Sequence, residues 1–282
     1  MTALAVRGPL SWLTDALRVP VAFLRRDRLI ETSYRAGFVL RLGSSIVTVL
    51  VFFFISHAFG AAVNTQISTN GAGYFAFVIV GVALSEFVST TVGGLGGSLR
   101  ESQTTGTLEL MLLSPSRLSV LMTSSSLWLQ ASAAIGAVTY LVAGALLGAD
   151  FSRADLVATA SALVVTMIGF TGLGLIAGAV VIVIKRGNPV GWLIRGASVV
   201  LGGVFYPTEI LPPVLQALGQ LVPMTHALTI LRGSIFPGLG IGEMIPSFAA
   251  LVVLSVGYLA LGLFACATAI RYARTDGSLA QY

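Results

Sequence analysis

The sequence predicts an all-α, polytopic membrane protein: six transmembrane helices, an N-terminal amphipathic interfacial helix, and short re-entrant helices before the last span. Three observations carry this. Of 282 residues, 56% are hydrophobic and only 10% charged, against about 25% charged in soluble domains, and the mean hydropathy is +0.93. Several apolar runs approach or exceed the roughly 20 residues that a membrane helix needs. The stretch from Gly202 to Arg232 stays apolar although Pro207, Pro212, Pro213 and Pro223 break it, because proline lacks the amide proton and clashes with the preceding turn.

The first 35 residues are not a signal peptide, since Asp15, Arg18 and Pro20 interrupt any apolar core. Leu13, Leu17, Val21 and Leu24 recur at helical spacing, with Arg18, Arg25 and Arg26 off that stripe. The pattern predicts an amphipathic helix in the cytoplasmic interface; the alternative is a loose basic tail that only orients the first span. Six spans follow, at 36–59, 74–97, 119–147, 156–184, 189–206 and 245–270.

Charge sorts the connections. Arg7, Arg18, Arg25, Arg26, Arg28 and Arg35 precede the first span, Arg100 and Arg117 follow the second, Lys185 and Arg186 the fourth, and Arg271 and Arg274 the last. The other connections offer Arg153 and Arg232, and 60–73 carries no charge. The positive-inside rule therefore places both termini in the cytoplasm. The net charge of +5 sits beside spans and orients them, so it does not signal nucleic acid.

Within the spans, Glu86 lies near the middle of the second, Arg195 two turns into the fifth and Arg41 near the inner end of the first, where it snorkels. Glu86 has no such route and should face protein or a cavity. It is either a structural hydrogen-bonding group or part of a translocation path. Gly93, Gly94, Gly96 and Gly97, and the pair Gly174 and Gly178, permit close helix contact.

Between the second and third spans, Arg100 and Glu101 open a cytoplasmic segment. Gly106 and Thr107 read as a turn and helix cap, with Glu109 in the first helical turn. Leu108, Met111 and Leu112 share an apolar face, and Pro115 ends the helix. Such a helix either docks a cytoplasmic partner or packs back on the membrane surface. After the fifth span, Ile210, Leu211, Val214, Leu215, Leu218, Leu221 and Val222 keep the Pro-broken stretch apolar. It predicts two short helices, 210–221 and 225–235, with Thr225 capping the second after Pro223. Broken backbone at membrane depth is tolerated only where protein or a water-lined cavity satisfies it, which suits a protein that moves material across a bilayer.

Enzymatic chemistry is thin. His57 and His226 have no second histidine or carboxylate at metal-ligand spacing, so no catalytic, cofactor or metal residues are assigned. His226 reads as a polar anchor and Cys266 as a small buried hydrophobe. The only lysine, Lys185, follows Ile184 rather than a glycine, so no phosphate-cradling loop is present.

The segment Arg100–Glu101…Gly106–Thr107–Leu108–Glu109…Pro115, together with Gly202…Phe205–Tyr206–Pro207…Leu211–Pro212…Pro223, resembles the permease subunit of a type 2 ABC exporter. The likeness covers nearly the whole chain. It implies residues 1–35 as an interfacial helix and 36–282 as a six-helix permease domain, with a coupling segment at 99–117 and an outer re-entrant segment at 207–240. It further implies that Arg100, Glu101, Gly106, Thr107, Leu108, Glu109, Met111 and Leu112 couple to an ATPase. Phe205, Tyr206, Pro207, Leu211, Pro212 and Pro223 would form an outer gate, with Glu86 the candidate for the path. ATP and Mg would be bound by a separate cytoplasmic ATP-binding subunit, in two copies, and none by this chain. A second permease chain, identical or related, would complete the transporter in the cell membrane, surrounded by lipid. The cargo expected is amphipathic or lipid-like. The alternative class is a secondary transporter or channel without an ATPase, which would show more ionisable residues and paired inverted repeats.

Overall fold

Inside hydrocarbon no water satisfies the backbone, so apolar runs of this length close their hydrogen bonds within helices. The computed structural model describes residues 11–33, 35–67, 73–104, 118–184 and 187–275. Among them are nine α-helices: α1 (Ser11–Ser33), α2 (Arg35–Ile67), α3 (Tyr74–Thr104), α4 (Leu118–Leu146), α5 (Leu156–Ile184), α6 (Pro189–Leu201), α7 (Pro213–Gly219), α8 (Pro223–Ile235) and α9 (Ile245–Thr275). No strand occurs among the described residues. Five of the helices are long and apolar enough to cross a membrane, or six elements if the pair α7–α8, bent by 85°, counts as one.

Burial ranks the spans. Within their apolar stretches 72% of α3 and 67% of α5 is buried, against 11% of α2 and 17% of α9. The interior is therefore built on α3 and α5, with Phe87, Leu84, Ile79 and Phe170 fully enclosed. α3 runs antiparallel to α4, since Gly94 meets Leu129 and Gly144 meets Ile79. α5 runs parallel to α9. Gly172 faces the backbone of Tyr258 and Leu259, and Gly262 faces the carbonyl of Gly172. Each Cβ would collide with backbone there, so only glycine allows the approach. Further along the same seam Cys266 Sγ donates to the Leu175 carbonyl at 3.3 Å, buried as a small hydrophobe should be.

The connections gather at two ends. At one, the Asp155 amide donates to the Ser234 carbonyl at 2.9 Å, joining the 147–155 turn to the end of α8. There Asp155 Oδ1 also caps α5 by accepting from the amides of Val157 and Ala158, at 2.8 and 2.9 Å. In the same turn the Ser152 amide, and then its hydroxyl, hold the Asp150 carboxyl below the usual range. At the other end Asn188 lies against Gly96 and caps α6 through the Gly191 amide at 2.9 Å.

Two expectations change. The fifth span, expected over 189–206, is the 13-residue α6, ending at Leu201. At 1.5 Å per residue it reaches about 20 Å, short of the ~30 Å hydrocarbon core. Gly203, at φ +72°, turns the chain out of the helix. The end of α6 meets the start of α8, where Gly202 contacts Met224. This crossing is thus shared by two short helices with an excursion between them. Second, α3 continues to Thr104, so Arg100 and Glu101 belong to its last turns and not to a loop; residues 105–117, with Gly106, Thr107, Leu108, Glu109, Met111 and Leu112, lie outside the described residues. α1 packs on α4; its Val19, Pro20, Phe23, Leu24 and Asp27 are half-buried and Val21, from the expected apolar stripe, is 62% exposed.

Candidate functional site

The broken crossing gathers several side-chain-to-backbone hydrogen bonds between elements. When α6 and α7 stop, their last carbonyls lose the amides of a following turn. In a water-poor setting each orphan costs a few kcal/mol. Side chains from α8 and α9 take up these acceptors one by one. Thr225 Oγ1 reaches Leu201 O at 3.4 Å and donates to Gly219 O at 2.7 Å, which the Val222 amide also reaches at 3.0 Å. His226 Nε2 lies 3.0 Å from Gln220 O. Tyr258 Oη, from α9, donates to Leu221 O at 2.9 Å. Thr225 therefore does not cap its own helix. α8 starts earlier than expected, with Pro223 at its first position and Val222 as an N-cap that has no side-chain bond. Thr225 then sits inside the first turn, aimed back at α7. His226 is buried as an anchor for the α7–α8 turn instead of lying at an interface.

The first re-entrant helix is shorter than 210–221. A 3-10 turn covers Thr208–Ile210 and α7 covers Pro213–Gly219, because Pro207, Pro212 and Pro213 keep the intervening backbone extended. Gln216 Nε2 bridges this gap, donating to Glu209 O at 3.1 Å and Leu211 O at 2.8 Å. Tyr206 Oη reaches back to Val200 O at 2.7 Å. Phe205 stacks on Phe52 of α2, with centroids 5.6 Å apart and planes 22° apart. Phe205, Tyr206 and Pro207 thus form one side of the excursion, and Leu211, Pro212 and Pro223 line its return.

At its centre stands Arg232, which sequence reading treated only as a charge in a connection. It is buried in α8. Nη1 donates to Gly203 O at 2.9 Å, and Nη2 to Val204 O at 3.0 Å and Phe77 O at 3.2 Å. The guanidinium carbon lies 3.4 Å from the Phe77 ring centroid, a cation–π contact. Nε finds no partner among the described residues. The planar fork suits this task, since it presents several donors in fixed directions, to the Gly203 and Val204 carbonyls beyond the end of α6 and to Phe77 O within α3. Gly81 completes the fit, because a Cβ there would strike Val204 O and come within 2.9 Å of Arg232 Nη2. The signal available in the sequence was a lone arginine, the only Arg, Lys, Asp or Glu in Pro223–Ile235.

Glu86 is half-buried on α3, and no hydrogen bond or ion pair ties it to another described residue. Two turns along the same helix, Gly93 faces Arg195, whose Nη1 would lie 3.3 Å from a Cβ. Arg195 Nε donates to Gly191 O of its own helix at 3.2 Å. Arg232, Glu86 and Arg195 therefore fall at three successive levels of α3. No group of three His, Cys, Asp or Glu that could hold a metal occurs among the described residues.

Comparison with known proteins fits this architecture. The family model described as ABC-2 type transporter matches residues 22–236. The chain is 24% identical over 216 residues to the inner membrane transport permease YadH of Escherichia coli K12, covering 76% of this chain and 82% of that one. YadH of Escherichia coli O157:H7 and of Shigella flexneri match to the same extent. The chain belongs to the ABC-2 type transporter family and is a multi-pass membrane permease.

Proposed function

We propose that this permease is the membrane subunit of an ATP-driven exporter, moving an amphipathic or lipid-like molecule out of the cytoplasm or inner leaflet. The observation that carries this reading is the broken crossing of α6, α7 and α8, with its carbonyls held by neighbouring side chains. Such a crossing leaves an irregular, apolar-lined module, 207–240, at one end of the bundle, where it acts as an outer gate. The apolar character of the spans suits a greasy cargo better than an ion. Glu86, half-buried and without a described partner, belongs to the path.

In this reading the protein sits in the inner membrane with both termini cytoplasmic, as the arginine-rich connections argue. Two copies of a cytoplasmic ATP-binding subunit bind ATP and Mg, and this chain binds neither. A second permease chain, identical or related, completes the route. ATP-driven closure of the partners reaches the bundle through 99–117, whose first residues extend α3, the most buried span. A push on Arg100 and Glu101 is therefore transmitted along a rigid helix to Phe77 and Gly81, which touch Arg232.

The test is copurification. An ATP-binding chain retained by the wild type and lost from a Glu109→Lys, Leu112→Asp variant that stays folded supports the reading. Unchanged retention and unchanged ATPase stimulation would refute the coupling role. Transport that persists with no ATP-binding chain would favour a secondary transporter or channel.

A further inference from the structure

The face of α1 turned away from the protein carries two characters at once. Arg18, Val21, Ala22, Arg25, Arg26 and Leu29 line an open groove of about 710 Å³. Their spacing, i, i+3, i+4, i+7, i+8 and i+11, puts them on one side of the helix. An ordinary interfacial helix separates its basic and apolar faces. Here the apolar positions remain uncovered, with Val21 62% exposed between Arg18 and Arg25 and Leu29 59% exposed one turn beyond Arg25. Half-buried Phe23, Leu24 and Asp27 point the other way.

The arginines divide into two kinds. Arg26 is engaged, with Nε 2.7 Å from Asp27 Oδ1 and its guanidinium 4.6 Å from the Phe23 ring centroid. Arg18 and Arg25 are exposed, and no described carboxylate pairs with them. They stand two turns apart, about 10 Å along the axis, and flank Val21 and Ala22. A partner covering this face must bring negative charge to the two ends and apolar surface to the middle. A neutral lipid supplies the second without the first, and an anionic phospholipid carries both in one molecule.

We propose that this face of α1 is a binding site for an anionic phospholipid, with the phosphate held by Arg18 and Arg25 and the upper acyl chains against Val21, Ala22 and Leu29. The proposal rests on the reading of α1 as an interfacial helix, and it adds the headgroup chemistry that this reading leaves open. Charge complementarity carries it. A surface arginine near an anionic headgroup contributes on the order of a fivefold gain in binding, and the apolar residues anchor the molecule that bears the phosphate.

The full chain in detergent, titrated with dioctanoyl phosphatidylglycerol or dioctanoyl phosphatidylcholine, tests it, with bound lipid counted by native mass spectrometry. Preferential binding of phosphatidylglycerol is expected. Arg18→Gln with Arg25→Gln should weaken that binding by about fivefold for each arginine removed. Arg18→Lys with Arg25→Lys should retain most of it, and it serves as the readout if the glutamine variant does not fold. Equal binding of the two lipids overturns the proposal, as does undiminished phosphatidylglycerol binding by the glutamine variant. Displacement of the lipid by an equal concentration of glycerol 3-phosphate would show a simple anion site and also overturn it. Because binding is read in detergent, it does not depend on which side of the membrane α1 occupies. Membrane-impermeant labelling of an Arg28→Cys variant checks that separately.

Discussion

The α5–α9 seam and the α6–α8 crossing bury backbone in the same apolar layer by opposite means. Along the seam both helices are unbroken, their carbonyls are satisfied internally, and Gly172 and Gly262 let the backbones approach. Polar side chains contribute little there beyond Cys266 Sγ, and Ser255 Oγ is buried with no partner among the described residues. In the crossing the helices are short, and Arg232, Thr225, His226 and Tyr258 bond to carbonyls that no helix satisfies. Regular structure tolerates loss of side-chain polarity but not loss of space. Broken structure depends on side-chain donors, and its stability lies in a few contacts that a conformational change can exchange. A transporter needs one rigid region and one that can rearrange.

The largest effect should come from filling the seam. Gly172→Leu places its Cβ on the Tyr258–Leu259 backbone, which cannot yield as a flexible side chain can. A loss of about 3 kcal/mol is expected, read as a lower midpoint in denaturant titration of the detergent-solubilised protein. An unchanged midpoint would mean that the two helices do not approach as closely as described.

Next comes Arg232→Met, which removes three donor contacts while roughly keeping volume. It should destabilise by roughly 2–3 kcal/mol, since the carbonyls of Gly203 and Val204 are left buried and unpaired. Arg232→Lys should recover part of this, because an ammonium keeps the charge but not the fork. If methionine and lysine behave alike in thermal unfolding, the fork geometry matters and the charge does not.

Thr225→Val and Tyr258→Phe each delete one hydroxyl donor and should cost about 1 kcal/mol apiece. The smallest effect belongs to the seam again. Ser255→Ala removes a buried hydroxyl with no hydrogen-bond partner among the described residues, so stability should hold or rise slightly. A marked loss from Ser255→Ala, equal to that from Thr225→Val, would erase the contrast between the two regions.

Much of the fold was legible because length and apolarity leave few choices in lipid. The span expected at 156–184 is α5, and α4 and α9 begin within a residue of expectation. The start of α8 was displaced by two residues because proline at the first helical position is as acceptable as threonine at the cap. The end of α6 was not legible. Val204 and Phe205 are as apolar as the residues before them, and nothing local says that the helix stops at Leu201. Arg232 was misread for the same reason, since its partners lie 28, 29 and 155 residues away in the chain.

By itself, the sequence determined that the chain crosses a membrane repeatedly as helices, that prolines from Pro207 to Pro223 break its apolar run before the last span, and that its positive charges cluster beside particular spans. These follow from composition and from proline and glycine backbone chemistry, which act within a few residues. The tertiary structure decided where α6 ends, which carbonyls are left open, and that Arg232, Thr225 and Tyr258 close them. A buried carbonyl can be satisfied by any donor that reaches it, and only the packing of α3, α8 and α9 brings those donors within hydrogen-bonding distance.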